Sequence, residues 1–346
     1  MMTNHYPLVS LLLPMRNESA FIERGLRAIL AQDYPGEMEI LIADGLSTDN
    51  TREVIASIPG LPSSVRILDN PGKIVPTGMN VALRQAKGEI IIRVDGHCII
   101  APDYVRKCVE HIQNDDVDGV GGPMESIGET QMAKAIAIGM SSPFGVGNSA
   151  FRTTSGKSML VDTVPFPAYT RQIIERAGLY DEELVRNQDD EYNYRIRELG
   201  GKILLADDVR STYFSRTSLK GLGRQYFQYG FWKVRVLQKH PRQMSPRQFV
   251  PPSFVLALFG SVLLALFPVF RPLSPVIPLF YLLANLSASV YTASKHGWKY
   301  LPLLPLVFAI LHLSYGFGFL VGLVKFWNRW DDKIGKVPVW SNETLG

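Results

Sequence analysis

The sequence predicts a doubly wound α/β domain that continues into membrane-embedded helices. Three observations carry that prediction. Short apolar strands alternate with helical stretches over the first hundred residues, the pattern of a sheet built on parallel strands. These strands end in acidic or polar residues, and open α/β sheets meet ligands outside the carboxyl ends of their strands. The C-terminal third carries three long uncharged runs, and a bilayer core takes roughly 20 apolar residues per helix.

The elements follow in order. Leu8 to Leu13 is the first strand; a proline follows it and no basic segment precedes it, so it does not read as a signal peptide. Pro14-Met-Arg-Asn-Glu18 closes that strand, and a helix runs from about Ser19 to Ala31. The second strand is Glu39 to Ala43, with Asp44 at its tip. The Ser/Thr/Asp cluster after Asp44 supplies capping residues for a helix beginning near Arg52. Glu89-Ile-Ile-Ile-Arg-Val is a further buried strand, because β-branched residues suit a covered, pleated surface. It runs straight into Asp95-Gly96-His97, a carboxylate and an imidazole at one strand tip. Alone, that triplet is equally an Asp-Gly turn with an incidental histidine; a second strand ending in Asp-Gly at Asp44-Gly45 favours a binding edge.

A third polar cluster is Asn187-Gln188-Asp189-Asp190-Glu191, which opens a helix whose apolar face is Tyr192, Ile196 and Leu199 and whose stop is Gly200-Gly201. Carboxylates at a helix N-terminus are favoured by the macrodipole, an adequate structural reason for them. Three adjacent acids exceed what capping needs, and one could take a proton from an attacking hydroxyl.

The 346 residues allow one large domain or two. Cys98 and Cys108 have neither disulfide-framework nor zinc-site spacing, and reduced thiols are expected. Charge is divided unevenly: residues 1–208 hold 20 basic and 29 acidic side chains, residues 209–346 hold 16 and 3. The segment 209–247 has nine basic residues, no acidic one, and seven interleaved aromatics. Such interleaving suits nucleic acid or an anionic membrane surface. The apolar runs that follow, 248–270, 272–294 and 300–324, decide for the membrane and against nucleic acid. Three full spans would put the basic tail (Lys325, Arg329, Lys333, Lys336) on the far side from the first domain. That conflicts with the positive-inside rule and makes one run re-entrant or interfacial, as the prolines in these runs allow. The expected organisation is a cytoplasmic domain over 1–240, membrane helices over 241–330, and a short polar tail over 331–346.

The motifs together resemble family-2 glycosyltransferases with the GT-A nucleotide-diphospho-sugar transferase fold, a doubly wound mixed sheet. The resemblance is closest to the bacterial succinoglycan and exopolysaccharide type with membrane C-termini. LLLPMRNE resembles the family's opening strand and loop. DGLSTD resembles its DDGSTD motif, with Gly45 in place of the second aspartate; NPGKIVPTGMNVAL and KGEIIIRVDGH resemble its Asn-rich helix and DxD strand. NQDDEYNYRIRELGG resembles its catalytic helix, and RQYFQYGFW stands where QxxRW is frequent.

By that resemblance, Pro14, Glu18 and Asp44 would hold the base and ribose of a nucleotide sugar, with Lys73 at its border. Asp95 and His97 would bracket the diphosphate and an Mn²⁺ or Mg²⁺ ion. Asp189 would be the general base, six residues before Arg195 as in the family, with Asp190 second. Gln228 and Trp232 would flank donor and acceptor. Phe231 replaces the motif's arginine, so diphosphate charge would fall to Arg224 or Lys233. The implied activity is inverting transfer from a nucleotide sugar, a UDP-sugar first, to a polyprenyl-linked saccharide in exopolysaccharide synthesis. The alternatives are transfer to polyprenyl phosphate and a non-catalytic membrane scaffold. The implied location is the cell membrane, with the catalytic domain on the cytoplasmic face.

Overall fold

The computed structural model describes residues 5–147, 149–153, 156–333, 335–338 and 340. Its strands are β1 (Val9–Met15), β2 (Met38–Asp44), β3 (Val65–Asp69), β4 (Ile90–Arg93), β5 (Cys98–Ile100), β6 (Gly119–Gly121), β7 (Met124–Ile127), β8 (Met159–Leu160), β9 (Ala168–Thr170), β10 (Ile203–Leu205) and β11 (Ser211–Phe214). Eight of them form one sheet in the order β3-β2-β1-β4-β9-β6-β10-β8. The first four are parallel neighbours, whereas β9 runs antiparallel between β4 and β6, so the sheet is mixed as expected. A second sheet has the order β5-β11-β7.

The order of the strands positions the site. The chain builds outward from β1 to β2 and β3, then returns to lay β4 on the other side of β1. That reversal is the topological switch point at which open α/β sheets take their ligands. Register brings the carboxyl ends level: Met15 lies opposite Asp44, and Asp44 opposite Asp69. Strands β1 and β4 are buried at every residue, which explains their near-continuous aliphatic sequences. The helices Ile22–Leu30, Val75–Gln85 and Tyr104–Asn114 each bury one face (Ile22, Leu26 and Ile29 in the first) and leave the other polar.

The chain divides into two compact units. One comprises Met1–Glu125, Thr154–Tyr213 and Ile334–Gly346; the other comprises Ser126–Thr153 and Phe214–Lys333. The helix Leu219–Lys239 packs along the apolar helix Leu304–Lys325 and is grouped with it in the second unit.

Glycines set that packing. A side chain at Gly230 would meet the Tyr315 carbonyl oxygen at 2.0 Å, and one at Gly318 would meet the Phe227 carbonyl oxygen at 2.1 Å. Gly318 and Gly322 are four apart, so the two backbones can approach closely along a small-residue stripe. Val234, Phe319 and Phe326 form the seam, with Phe231 and Trp232 packed against it. The basic, aromatic segment expected to rest on lipid thus turns its aromatic rings toward a neighbouring helix. Gly230→Leu is expected to destabilise this unit by roughly 3 kcal/mol, the upper end of overpacking costs. Gly260→Ala, where an added Cβ meets nothing within 4 Å, should leave stability unchanged or slightly raised. Thermal unfolding of the two variants in detergent is the comparison, and equal midpoints would refute the seam.

Three helices of the second unit are long and apolar enough to cross a membrane: 246–265, 271–296 and 304–325. His312 and Asn285 within them are internally hydrogen-bonded, as a low-dielectric setting demands. His312 lies between the Phe144 carbonyl (2.7 Å) and the Tyr281 hydroxyl (3.0 Å). Asn285 donates to the Pro305 carbonyl and accepts from Ser289.

Candidate active site

The loops after β1 and β2 are stitched together before any substrate is considered. Asn17 accepts from the Thr48 amide through its side chain (2.8 Å), and its own amide donates to Ser47 Oγ (2.9 Å). The Glu18 amide donates to Thr51 Oγ1 (2.9 Å), and Asp49 accepts from the Ser19 and Thr51 amides. The short polar residues of PMRNE and DGLSTD therefore serve first to hold two strand tips in a single surface.

Asp44 is fully buried. Its carboxylate accepts from Ser47 and from Arg52 Nε (2.5 Å), and Arg52 reaches on to Asp69 at 2.5 Å. The Asp69 and Asp44 carboxylates raise the Arg52 guanidinium above its ordinary value. Asp44 thus anchors an acid–arginine–acid bridge across the ends of β2 and β3. Pro14 lies buried on β1, and Lys73 is exposed on the loop before the helix Val75–Gln85, with φ at +60°. Glu18 sends its carboxylate to His97 Nδ1 (3.0 Å). His97 in turn meets the Tyr213 ring edge-on at 5.2 Å.

Sequence reasoning passed over the residue at the centre, Arg93. It closes β4, is 6% exposed, and donates to Asp95 through Nε (2.9 Å) while its Nη1 pairs with Asp189. Burial works to lower its pKa, but the adjacent Asp95 carboxylate prevails and holds it above the ordinary value. An arginine in an otherwise aliphatic buried strand was the available signal, since buried charges are retained only when paired.

The three acids of the catalytic-type helix, Gln188–Glu198, separate by environment. Glu191 is buried and bonded by both oxygens to Arg195 (2.6 and 3.0 Å), which also donates to the Ala177 and Leu179 carbonyls. It is a structural pair that fixes the helix. Asp189 keeps its side chain 40% exposed, with Oδ1 on Arg93; Asp190 is half-buried beside it. The lead-in loop is clasped by Asn80, which donates to the Tyr180 carbonyl and Glu182 (both 2.9 Å) and accepts from the Tyr180 amide (2.8 Å). The asparagine of the Asn-rich helix is accordingly a scaffold residue.

Two further buried oxygens, Asn70 Oδ1 and Gln188 Oε1, have no hydrogen-bond partner among the described residues. Buried acceptors are normally satisfied, and both lie next to the groups just described, at the end of β3 and beside Asp189. They are candidate contacts for a ligand donor.

The structure brings Arg93, Asp95 and Asp189 into contact, and joins Glu18 to His97. Arg224, Gln228, Trp232 and Lys233 lie on the helix Leu219–Lys239 of the other unit, where Lys233 is buried and Trp232 packs edge-on against Phe231. No group of three or more His, Cys, Asp or Glu side chains is poised to hold a metal among the described residues.

The glycosyl transferase family 2 model matches residues 10–181. The chain is 29% identical to the succinoglycan biosynthesis protein ExoA of Rhizobium meliloti, over 92% of this chain and 96% of that protein. It is 26% identical to a Methanococcus voltae dolichyl N-acetyl-alpha-D-glucosaminyl phosphate 3-beta-D-2,3-diacetamido-2,3-dideoxy-beta-D-glucuronosyltransferase, over 92% and 97% of the two chains. Among solved structures it is similar to the Pyrobaculum calidifontis mannosyltransferase PcManGT, at 19% identity and a TM-score of 0.57 over 92% of this chain and 88% of that one. That likeness shows a common GT-A fold. Residues 10–181 therefore form a glycosyl transferase family 2 domain, and the protein is a glycosyltransferase.

Proposed function

We propose that this glycosyltransferase moves a sugar, with inversion, from a nucleoside diphosphate sugar to a lipid-linked saccharide, working from the cytoplasmic face of the cell membrane. The observation that carries the proposal is the Asp95–Arg93–Asp189 arrangement at the switch point of the sheet. A diphosphate is a stable leaving group, so the reaction needs one base, on the acceptor side. Asp189 fills that role: Arg93 binds Oδ1 and fixes the carboxylate, leaving Oδ2 for the acceptor hydroxyl's proton. Asp190 is the second candidate. Pro14, Asp44 and Lys73 border the nucleotide, with Asn70 as an added acceptor for a base or ribose donor. Arg224, Gln228, Trp232 and Lys233 are proposed for donor and acceptor contacts.

A divalent ion suits the residues present. Asp95 offers a hard carboxylate and His97 an imidazole on the same turn, a pair that favours Mn²⁺ over Mg²⁺. Asp95 and His97 would hold the ion, and the donor's phosphate oxygens would supply further ligands, as where protein carboxylates share a cation with substrate phosphates. When bound, the ion would offset the charge that develops on the departing diphosphate.

Two relatives support the acceptor class. One is named for succinoglycan biosynthesis, the other for transfer to a dolichyl-linked sugar phosphate. The solved mannosyltransferase holds GDP-Man and Mn²⁺, so the base is left to experiment, with a UDP-sugar tried first. Incubating membranes that contain the protein with a panel of nucleotide sugars should show one donor consumed and its sugar extracted with lipid. Turnover of none, or transfer only to water-soluble acceptors, would refute the proposal. Calorimetry supplies the metal test. Donor binding should strengthen with Mn²⁺ and fall with chelator, and Asp95→Ala should abolish the difference. Metal-independent binding by the parent protein would remove the ion from the scheme.

A further inference from the structure

The chain leaves its catalytic unit at Phe214 and returns to it after Lys333. The return is held by hydrogen bonds: the Lys336 amide donates to Asp181 Oδ1 (2.9 Å), and the Lys336 carbonyl accepts from the Glu182 amide (2.9 Å). Residues 326–332, after the last apolar helix, are anchored as well. Fully buried Arg235 donates to the Arg329 and Asp332 carbonyls (3.2 and 3.1 Å), and Gln238 donates to the Phe326 carbonyl (2.7 Å). That stretch carries Arg329, Asp331 and Asp332, and cannot lie in hydrocarbon. Both ends of the 214–333 excursion are therefore tied to the same side of any membrane.

From this we infer that the chain crosses the bilayer an even number of times, and that the helix Leu304–Lys325 is the one that does not cross. The inference rests on the reading of residues 246–325 as membrane-embedded. Several observations select this helix. It packs along Leu219–Lys239 from Gly223 beside Ser314 to Gly322 beside Phe231, and that neighbour carries Arg224, Lys233, Arg235 and Lys239, which bars it from the hydrocarbon core. Its own Leu304, Val307, Phe308, Leu311 and Phe319 are buried by protein. Large exposed apolar side chains are more numerous on residues 249–298, among them Leu256, Phe259, Leu263, Phe280, Leu283 and Val290, whereas Leu304–Lys325 exposes Leu306, Leu313, Phe317 and Val324. This surface is the one that fits lipid hydrocarbon. The assignment also removes the charge conflict noted in the sequence, because Arg242, Arg247, Lys295, Lys299, Lys325, Arg329, Lys333 and Lys336 then all lie on the catalytic side.

Cysteine accessibility tests this on the full chain. Cys98 and Cys108 are buried, so the parent protein provides a silent background. Exposed positions Ser63 (catalytic unit), Lys299 (before the last apolar helix) and Asn328 (after it) are replaced one at a time by cysteine. Each variant is treated with a membrane-impermeant maleimide in intact cells and in inverted vesicles. All three are expected to label from the same side. Asn328→Cys labelling opposite to Ser63→Cys would overturn the even count. Lys299→Cys labelling opposite to both would show that Leu304–Lys325 crosses after all. Carbonate extraction separates the underlying reading: protein released to the supernatant would mean that no helix is embedded, whatever the labelling pattern.

Discussion

Asp189→Asn is expected to lower sugar transfer by roughly a thousandfold, within the range that a positioned general base supplies, while donor affinity changes little. The amide keeps the shape of the carboxylate but cannot accept a proton at neutral pH. Asp190→Asn, one residue along and outside the Arg93 contact, should retain most activity. Single-turnover rates with saturating donor, alongside calorimetric donor binding, separate the two effects. If Asp190→Asn is the dead variant and Asp189→Asn the active one, the base moves by one residue. If both remain active, the helix Gln188–Glu198 is not the source of the base.

Arg93→Met should be nearly as damaging, and for a different reason. Arg93 is buried and touches two carboxylates, Asp95 and Asp189, to which the proposal gives different roles, the first toward the diphosphate and the second toward the acceptor. Without it, two neighbouring acids lose the cation between them. Their side chains keep solvent contact (22% and 40% exposed), so the cost should fall below the roughly 3–5 kcal/mol of breaking a fully buried pair. Transfer should fall sharply, donor binding should weaken, and the thermal midpoint should drop. Arg93→Lys should recover charge but little activity, because an ammonium cannot reproduce the guanidinium fork that reaches Asp95 and Asp189 together. A fully active Arg93→Lys would mean that only charge at this position counts, and a fully active Arg93→Met would dismiss the residue from the site.

Much of the catalytic domain was legible in the sequence, because its signals are local. An Ile-Ile-Ile run with an acid at its tip announces a buried strand and a binding edge, and Gly200-Gly201 announces a helix end. The parallel strands and the three apolar helices followed from such signals, and the mixed sheet from the family resemblance. What escaped was decided at long range. Asp44 and Glu18, expected to hold a base and ribose, also pair with Arg52 and His97, and no local pattern announces those pairings. Arg93 was visible as an oddity, yet its two partners come together only when β4 meets the start of the Gln188–Glu198 helix. The aromatic face of Leu219–Lys239 looked like a lipid-seeking surface because its true partner, the glycine stripe of Leu304–Lys325, lies some ninety residues further on.

The pairing of Lys336 with Asp181 also bears on when the enzyme becomes complete. These residues stand 155 positions apart, and the Asn80 clasp on the same loop spans 100. A ribosome adding about 5–20 residues per second needs roughly 8–30 s to travel from Asp181 to Lys336. By then all three apolar helices have been made. The loop that leads to Asp189 can be clasped early by Asn80, but its last fastening comes after the greasy segments have found their environment. A nascent chain stalled before Lys336 would carry Asp189, the proposed base, without the strap that steadies its loop, so competence would wait on residue 336.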